Sequence, residues 1–420
     1  MSRFSINIQR FKKSKNAHTL AENFVALSVL KVFAFLFPLI TMPYLARVIG
    51  TDGFGAIAFA MSIMIFVETI IDWGFGYTAT RDVAKCREDI NQVSQIYSEV
   101  IFAKLILMTG CFMLLCLALL FVPSLHDYRL LLLLTFAYIP GHVFFPEWMF
   151  QAFEKMKYIT ILNVFSKFVF TVLIFLIIKQ KSDYVYQPLL TACGYIVSAF
   201  IAQYLLFKKF KVRLFIPKYS RIIGKMKESS DMFVSLLMPN LYNNLSTIIL
   251  KSSCGDSATG IYSAGQKFEQ LSEQLSGVLS RSFFPFLSRH NEKHHIYVLI
   301  SGCVSIFMCI LLMSFAEIFI YFFYTPDFDS ATTVIRILSL SPFFLFLSNA
   351  YGPNYLVITG KEKIYRNIIC VCSILGSIIS FIITPLWGYI GAAISVTVTR
   401  GMIGVSTWKN AKKIQLYQNN

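Results

Sequence analysis

Apolar runs long enough to cross a bilayer recur along this chain, separated by polar segments that are alternately rich and poor in basic residues. Phe102–Val122, Ile159–Ile178, Ile296–Phe323 and Ile368–Leu386 are the clearest; a membrane-crossing helix needs about 20 such residues. There are too many for one buried core, so the pattern predicts an all-α polytopic membrane protein. Read with their charged flanks, the runs give twelve helices at 22–45, 54–80, 96–122, 129–150, 159–178, 187–207, 232–251, 258–285, 296–323, 332–357, 367–386 and 389–408. The second, seventh and eighth are too polar to be found by hydropathy alone. They are included because the loop charges require an even number, and because the sequence repeats.

Composition agrees with this reading. The chain is 56% hydrophobic and only 14% charged, where soluble domains run near 25% charged. A formal charge of +16 would suit nucleic acid if it were clustered on one face, but it alternates. Twenty-six Lys and Arg fall in segments 1–19, 81–93, 152–158, 208–231, 286–295, 359–366 and 409–420. The intervening loops hold five: Arg47, Arg129, Lys179, Lys181 and Lys251. Cytoplasmic loops carry such an excess, so both termini are expected in the cytoplasm and no nucleic-acid partner is expected. Residues 1–19 are basic and polar with no small-residue cleavage site after them, so no cleaved leader is expected. Most of the nine cysteines lie in apolar runs, where cysteine acts as a small hydrophobe.

The repeat has an offset near 205. GTDGFGAIAFAMSI from Gly50 matches GDSATGIYSAGQKF from Gly255, placing Gly55 on Gly260 and Glu68 on Glu273. PEWMFQAFEKMKYI from Pro146 matches PNYLVITGKEKIYR from Pro353 at a shift of 207. Six helices separate the copies, so both enter the membrane in the same sense, the parallel-repeat plan of many transporters. The expected organisation is a basic N-terminus at 1–21, a first lobe at 22–207, a basic linker at 208–231, a second lobe at 232–408 and a C-terminal segment at 409–420.

The eighth helix is unlike its surroundings. GIYSAGQKFEQLSEQLSGVLSR, residues 260–281, carries Lys267, Glu269, Glu273 and Arg281 among serines and glutamines. A charge at mid-membrane costs about 2.5–3.5 kcal/mol on insertion scales, so four facing lipid would cost on the order of 10 kcal/mol. At 100° per residue Lys267, Gln270, Gln274 and Arg281 form one stripe with Glu273 beside it. That face must look into protein or water. The second helix carries Glu68 and Asp72 at i, i+4, on one face; the first carries Lys31, and the seventh Asn240, Asn243 and Asn244. Two readings follow. One is an internal salt-bridge network, with Lys31 or Lys267 against Glu68 or Glu273. The other is a hydrated central cavity lined by Lys267, Lys31, Gln270, Gln274, Asn240, Asn243 and Asn244, whose basic groups bind an anion, while the carboxylates of Glu68, Asp72 and Glu273 take up protons or cations. Midplane charge on both copies of the repeat favours the second.

Other features carry less. Arg336, Arg400 and Glu147 lie in or near apolar runs and are expected to snorkel. The HNEKHH run at 290–295 has no cysteine nearby and reads as a solvated loop rather than a zinc site. DFD at 327–329 stands alone in a short loop. No H-E-x-x-H, Walker or G-x-S-x-G pattern occurs, so no catalytic residue, metal or cofactor is expected and the chain reads as no enzyme.

PLITMPYLARVIGTDGFGAIAFAMSI, DWGFGYTATRDVAKCRED, FFPEWMFQAFEKMKYIT and GIYSAGQKF together resemble the bacterial O-antigen flippases of the multidrug/oligosaccharidyl-lipid/polysaccharide exporter superfamily. The resemblance covers nearly the whole chain. It implies twelve helices in two six-helix lobes, a MATE-like inverted V, in the bacterial inner membrane. It implies as substrate an O-unit on undecaprenyl diphosphate, moved from inner to outer leaflet by alternating access. Membrane lipids and other O-antigen assembly membrane proteins would be its partners. Lys267 takes the place of the lysine in the family-like Gly-x-Tyr-Ser-Ala-x-x-Lys stretch and is carried over as cavity-lining. Lys31 rests on position alone. A drug or cation exporter of the same fold, a pathway polymerase and an assembly scaffold are the alternatives. Acidic cavities suit the first and a large outside loop the second, whereas this chain has intramembrane lysines and short loops.

Overall fold

The computed structural model describes residues 15–288 and 290–419; the side chain of Lys31 lies outside the described residues. Among the described residues the regular structure is helical, with no strand. Eight helices are long and apolar enough to cross a membrane, and the chain is a multi-pass helical membrane protein. In order the α-helices are α1 Lys15–Asp72, α2 Phe75–Lys85, α3 Ile90–Phe121, α4 Arg129–Phe136, α5 Tyr138–Phe144, α6 Glu147–Ala152 and α7 Met156–Ile177. They continue with α8 Gln187–Lys208, α9 Tyr219–Leu287, α10 His294–Phe323, α11 Ala331–Leu338, α12 Ser341–Tyr351 and α13 Glu362–Asn419.

Three of these helices are broken at a glycine: α1 at Gly50, α9 at Gly255 and α13 at Gly388. Each break falls where the charge pattern separates one expected span from the next. Gly50 and Gly255 are the residues paired by the repeat, and they share a conformation, φ +66° with ψ −171° and φ +85° with ψ −173°. L-residues rarely adopt it and glycine does so freely, so the repeat is a repeat of backbone geometry.

The chain divides into two compact units. The first holds the chain as far as Thr41, Val67–Lys179 and Val185–Phe233. Its core gathers Phe75, Val93, Ile139, Met149 and Phe150, all buried. Asp89 caps α3 by accepting from the backbone N–H of Asn91 and Gln92 at 3.0 and 3.1 Å. Trp73, with φ +44°, turns the chain between α1 and α2. It is held there by stacking on Phe233 at 4.2 Å and by an indole hydrogen bond to the Met226 carbonyl at 3.0 Å. The second unit holds Met42–Phe66, Gln180–Tyr184 and the chain from Val234. Tyr242, Leu250, Tyr262, Val334 and Ala392 form one of its cores, and Leu287, Tyr297, Phe346 and Tyr355 another.

Inside the second unit the repeats meet glycine to glycine. A Cβ on Gly55 would lie 1.9 Å from the Asp256 carbonyl oxygen, and one on Gly260 would lie 2.1 Å from that of Thr51. The residues exchange under the 205-residue shift, so this contact is locally two-fold. Ser257 Oγ donates to Thr51 Oγ1 at 3.0 Å beside it. Because the obstructing atoms are backbone, Gly260→Val is expected to lower stability by about 1–3 kcal/mol, the range for overpacking. Gly76→Ala, where nothing lies within 4 Å of the new Cβ, is the control. Thermal unfolding in detergent measures both, and equal midpoints would remove the close-contact argument.

Candidate functional site

Two polar clusters lie in the apolar helices, one in each unit. In the first, Glu68 and Asp72 stand one turn apart on α1, as their spacing predicts. His142 on α5 comes between them: Nδ1 lies 3.2 Å from Glu68 Oε1, and Nε2 lies 3.1 Å from Asp72 Oδ2. Lys104 on α3, a buried side chain, donates to Asp72 Oδ1 at 2.6 Å, and the Tyr138 hydroxyl donates to Glu68 Oε2 at 3.1 Å. Both imidazole nitrogens donate only in the protonated ring. Two carboxylates, one ammonium and one imidazole therefore form a neutral group with the ring charged and a singly negative one without that proton. The arrangement can hold and release one proton. Glu68, Asp72 and His142 also bring ligand atoms within 4.8 Å of one another and are the residues that could hold a metal ion, with Lys104 already on one Asp72 oxygen.

The second cluster centres on Arg400 of α13. Its guanidinium contacts Glu269, Glu273 Oε2 at 3.0 Å and Asn243 Oδ1 at 3.3 Å. Arg400 and Glu269 are buried at 2% and 1% exposure, while the Glu273 side chain is 43% exposed. Within the protein Arg400 Nε and Glu269 Oε2 have no hydrogen-bond partner. One cation thus faces two carboxylates. Arg400 does not snorkel, contrary to the sequence reading: the acids of α9 draw its guanidinium inward, away from any polar boundary. Arg336 does reach an exposed partner, Glu317, at 2.7 Å.

Lys267 lies only two residues before Glu269 but on a different side of α9. Its side chain is half-buried, and no carboxylate pairs with it among the described residues. Gln270 and Gln274, three and seven residues on, are half-buried as well, which forms the expected stripe. Arg281 is exposed and donates to the Gly277 carbonyl of its own helix at 3.1 Å. Asn244 donates to Asn240 at 3.3 Å. Among the described residues Glu273 pairs with Arg400 rather than with Lys267, and within the first unit Glu68 pairs with His142. Of the HNEKHH run, His294 is buried and its Nε2 lies 2.8 Å from the Ala350 carbonyl, so it packs rather than being solvated.

The sequence reading names neither Lys104 nor His142, and it names Glu269 only among the charges of the eighth helix. Lys104 has a signal, the lone charge of the apolar run Phe102–Val122, which by cost alone demands a partner. His142 has none, being an uncharged residue by count in an ordinary span.

Apolar helices with ionisable groups held among them define a multi-pass helical membrane protein. Solved structures share the fold. The inward-closed lipid II flippase MurJ aligns with TM-score 0.74 at 14% identity, over 93% of this chain and 87% of that one. An inward-facing multidrug resistance MATE transporter of the MOP superfamily aligns with TM-score 0.70 at 13% identity, over 95% and 99%. The chain belongs to the polysaccharide biosynthesis protein family, whose model matches residues 20–291. An Escherichia coli (strain K12) relative, named for O-antigen transport, is 26% identical over 397 residues, 92% of this chain and 95% of its own. A Shigella dysenteriae relative of the same name is 24% identical over 400 residues, 94% of this chain and all of its own.

Proposed function

We propose that the protein is a non-enzymatic flippase that carries undecaprenyl-diphosphate-linked O-antigen units from the inner to the outer leaflet of the bacterial inner membrane. The carrying observation is Lys267, a half-buried cation on α9, where the sequence reading places the eighth span, with no carboxylate partner among the described residues. An isolated intramembrane charge is costly, and a diphosphate supplies the missing counter-charge; lysine serves as a compact point-charge partner for phosphate. Gln270, Gln274, Asn240, Asn243 and Asn244 add amides for sugar hydroxyls, and Lys31 remains a candidate from sequence position. Family membership and the relatives' names support O-antigen units as cargo, and the likeness to a lipid flippase supports the fold's fitness for it.

Mechanistically, the halves at 22–207 and 232–408, twelve helices in all with both termini in the cytoplasm, alternate access to the headgroup while the prenyl tail stays in lipid. The group of Glu68, Asp72 and His142 takes up a proton in one state and gives it up in the other. Glu273, half exposed beside Arg400, is a second coupling candidate. Vesicles holding the purified protein are expected to move lipid-linked oligosaccharide to the far leaflet, faster under an imposed pH gradient. Glu68→Gln is expected to keep transport but lose the gradient response. Transport of a cationic dye with none of the lipid-linked sugar would replace this reading by the drug-exporter one.

A further inference from the structure

The linker between α8 and α9 has a construction that transport does not require. Its backbone is pinned to α3: the N–H of Arg213 donates to Ser94 Oγ and that of Phe215 to Ser98 Oγ, both at 2.9 Å. Val212 and Ile222 are buried on either side of it. The side chains between them point the other way. Arg213, Leu214, Phe215 and Ile216 are consecutive and all exposed, Ile216 at 90%. Tyr219 and Ile223, one turn apart at the start of α9, continue the apolar surface at 69% and 43% exposure.

This greasy face is set among cations. Lys208, Lys211, Arg213 and Lys218 are exposed, and none has a carboxylate partner among the described residues. The nearby acids are engaged elsewhere: Glu228 with Lys225 and Arg81, Asp82 with Lys225 and Arg81, and Glu99 with Arg221 at 3.6 Å. A water-facing loop does not expose consecutive large apolar side chains, and protein interface cores are depleted in lysine. Apolar anchors interspersed with unpaired Lys and Arg are the composition of a segment lying in the headgroup layer of an anionic bilayer. Position agrees, because Lys208 ends a segment long and apolar enough to cross a membrane, Lys181–Lys208, and the strap begins at that residue.

We infer that residues 208–223 form a membrane-interface strap that inserts Phe215, Ile216, Tyr219 and Ile223 at the acyl boundary and binds anionic phospholipid headgroups through Lys208, Lys211, Arg213 and Lys218. The full-length protein, with cysteines removed and Ile216→Cys carrying an environment-sensitive fluorophore, is placed in nanodiscs. These contain phosphatidylcholine alone or with phosphatidylglycerol in equal parts. The bilayers are symmetric, so the outcome is independent of topology and of the transported substrate. The label is expected to be quenched by lipids brominated near the headgroup in both discs, and more strongly with phosphatidylglycerol. Spin-labelled phosphatidylglycerol is expected to associate on the order of threefold better than phosphatidylcholine, falling towards parity at high salt. The combination Lys208→Gln, Lys211→Gln, Arg213→Gln and Lys218→Gln is expected to abolish that preference; all four are exposed, so folding is retained. A label that stays aqueous in both discs overturns the insertion and leaves the face to a soluble partner. A lipid preference that survives the four substitutions overturns the headgroup site.

Discussion

Replacing Arg400 by methionine is expected to be among the most damaging single changes in the second unit. The guanidinium is buried against Glu269, itself buried, and against Glu273. Removing it leaves carboxylate charge inside an apolar helix packing, and breaking a buried pair by one partner costs about 3–5 kcal/mol. Total stability of a domain is only about 5–15 kcal/mol, so little folded protein should survive mild heating. The loss comes from the stranded acids rather than from the missing arginine. Arg400→Met combined with Glu269→Gln and Glu273→Gln is therefore expected to recover most of the unfolding midpoint, since neutral isosteres often match a buried ion pair. Fluorescence-detected thermal unfolding of the three variants decides it. A single variant as stable as the parent would mean that the carboxylates do not depend on Arg400.

Much of this architecture was legible in the sequence because lipid imposes simple demands. Apolar windows near Phe102–Val122 and Ile296–Phe323 had to be helices, since only helices and closed barrels satisfy their own backbone in a bilayer. The 205-residue repeat located Gly50 and Gly255, and the structure gives both the same left-handed break. The i, i+4 spacing of Glu68 and Asp72 put them on one face, where they are. What the sequence withheld was partner choice. Arg400 is 131 residues from Glu269 and His142 is 70 from Asp72, and helical periodicity reports the face a residue occupies, never the helix it meets. Snorkelling was the expectation for a lone arginine inside a span, but a pair of acids on a neighbouring helix outweighs water at the boundary. The same blindness hid the linker. Eight cations in 208–231 read as a plain basic loop, and only the backbone contacts to Ser94 and Ser98 reveal which side chains are turned outward.

Lys267 separates stability from function. A half-buried ammonium with no carboxylate partner among the described residues adds desolvation cost, so Lys267→Met is expected to unfold no lower than the parent. Activity should move the opposite way. A hydrogen bond to a charged group contributes about 1.5–3 kcal/mol, which corresponds to roughly ten- to a hundredfold in affinity. O-antigen display in cells depending on Lys267→Ala is therefore expected to fall at least tenfold at normal membrane abundance. Transport of lipid-linked oligosaccharide into the far leaflet of vesicles should fall in step. Lys267→Arg keeps the charge while replacing a compact ammonium by a planar fork, and it is expected to retain more transport than alanine but less than the parent. A structural lysine predicts the reverse pattern, a lower unfolding midpoint with normal transport per folded molecule. Full display from the alanine variant would remove Lys267 from anion recognition and, with it, the observation on which the flippase reading chiefly rests.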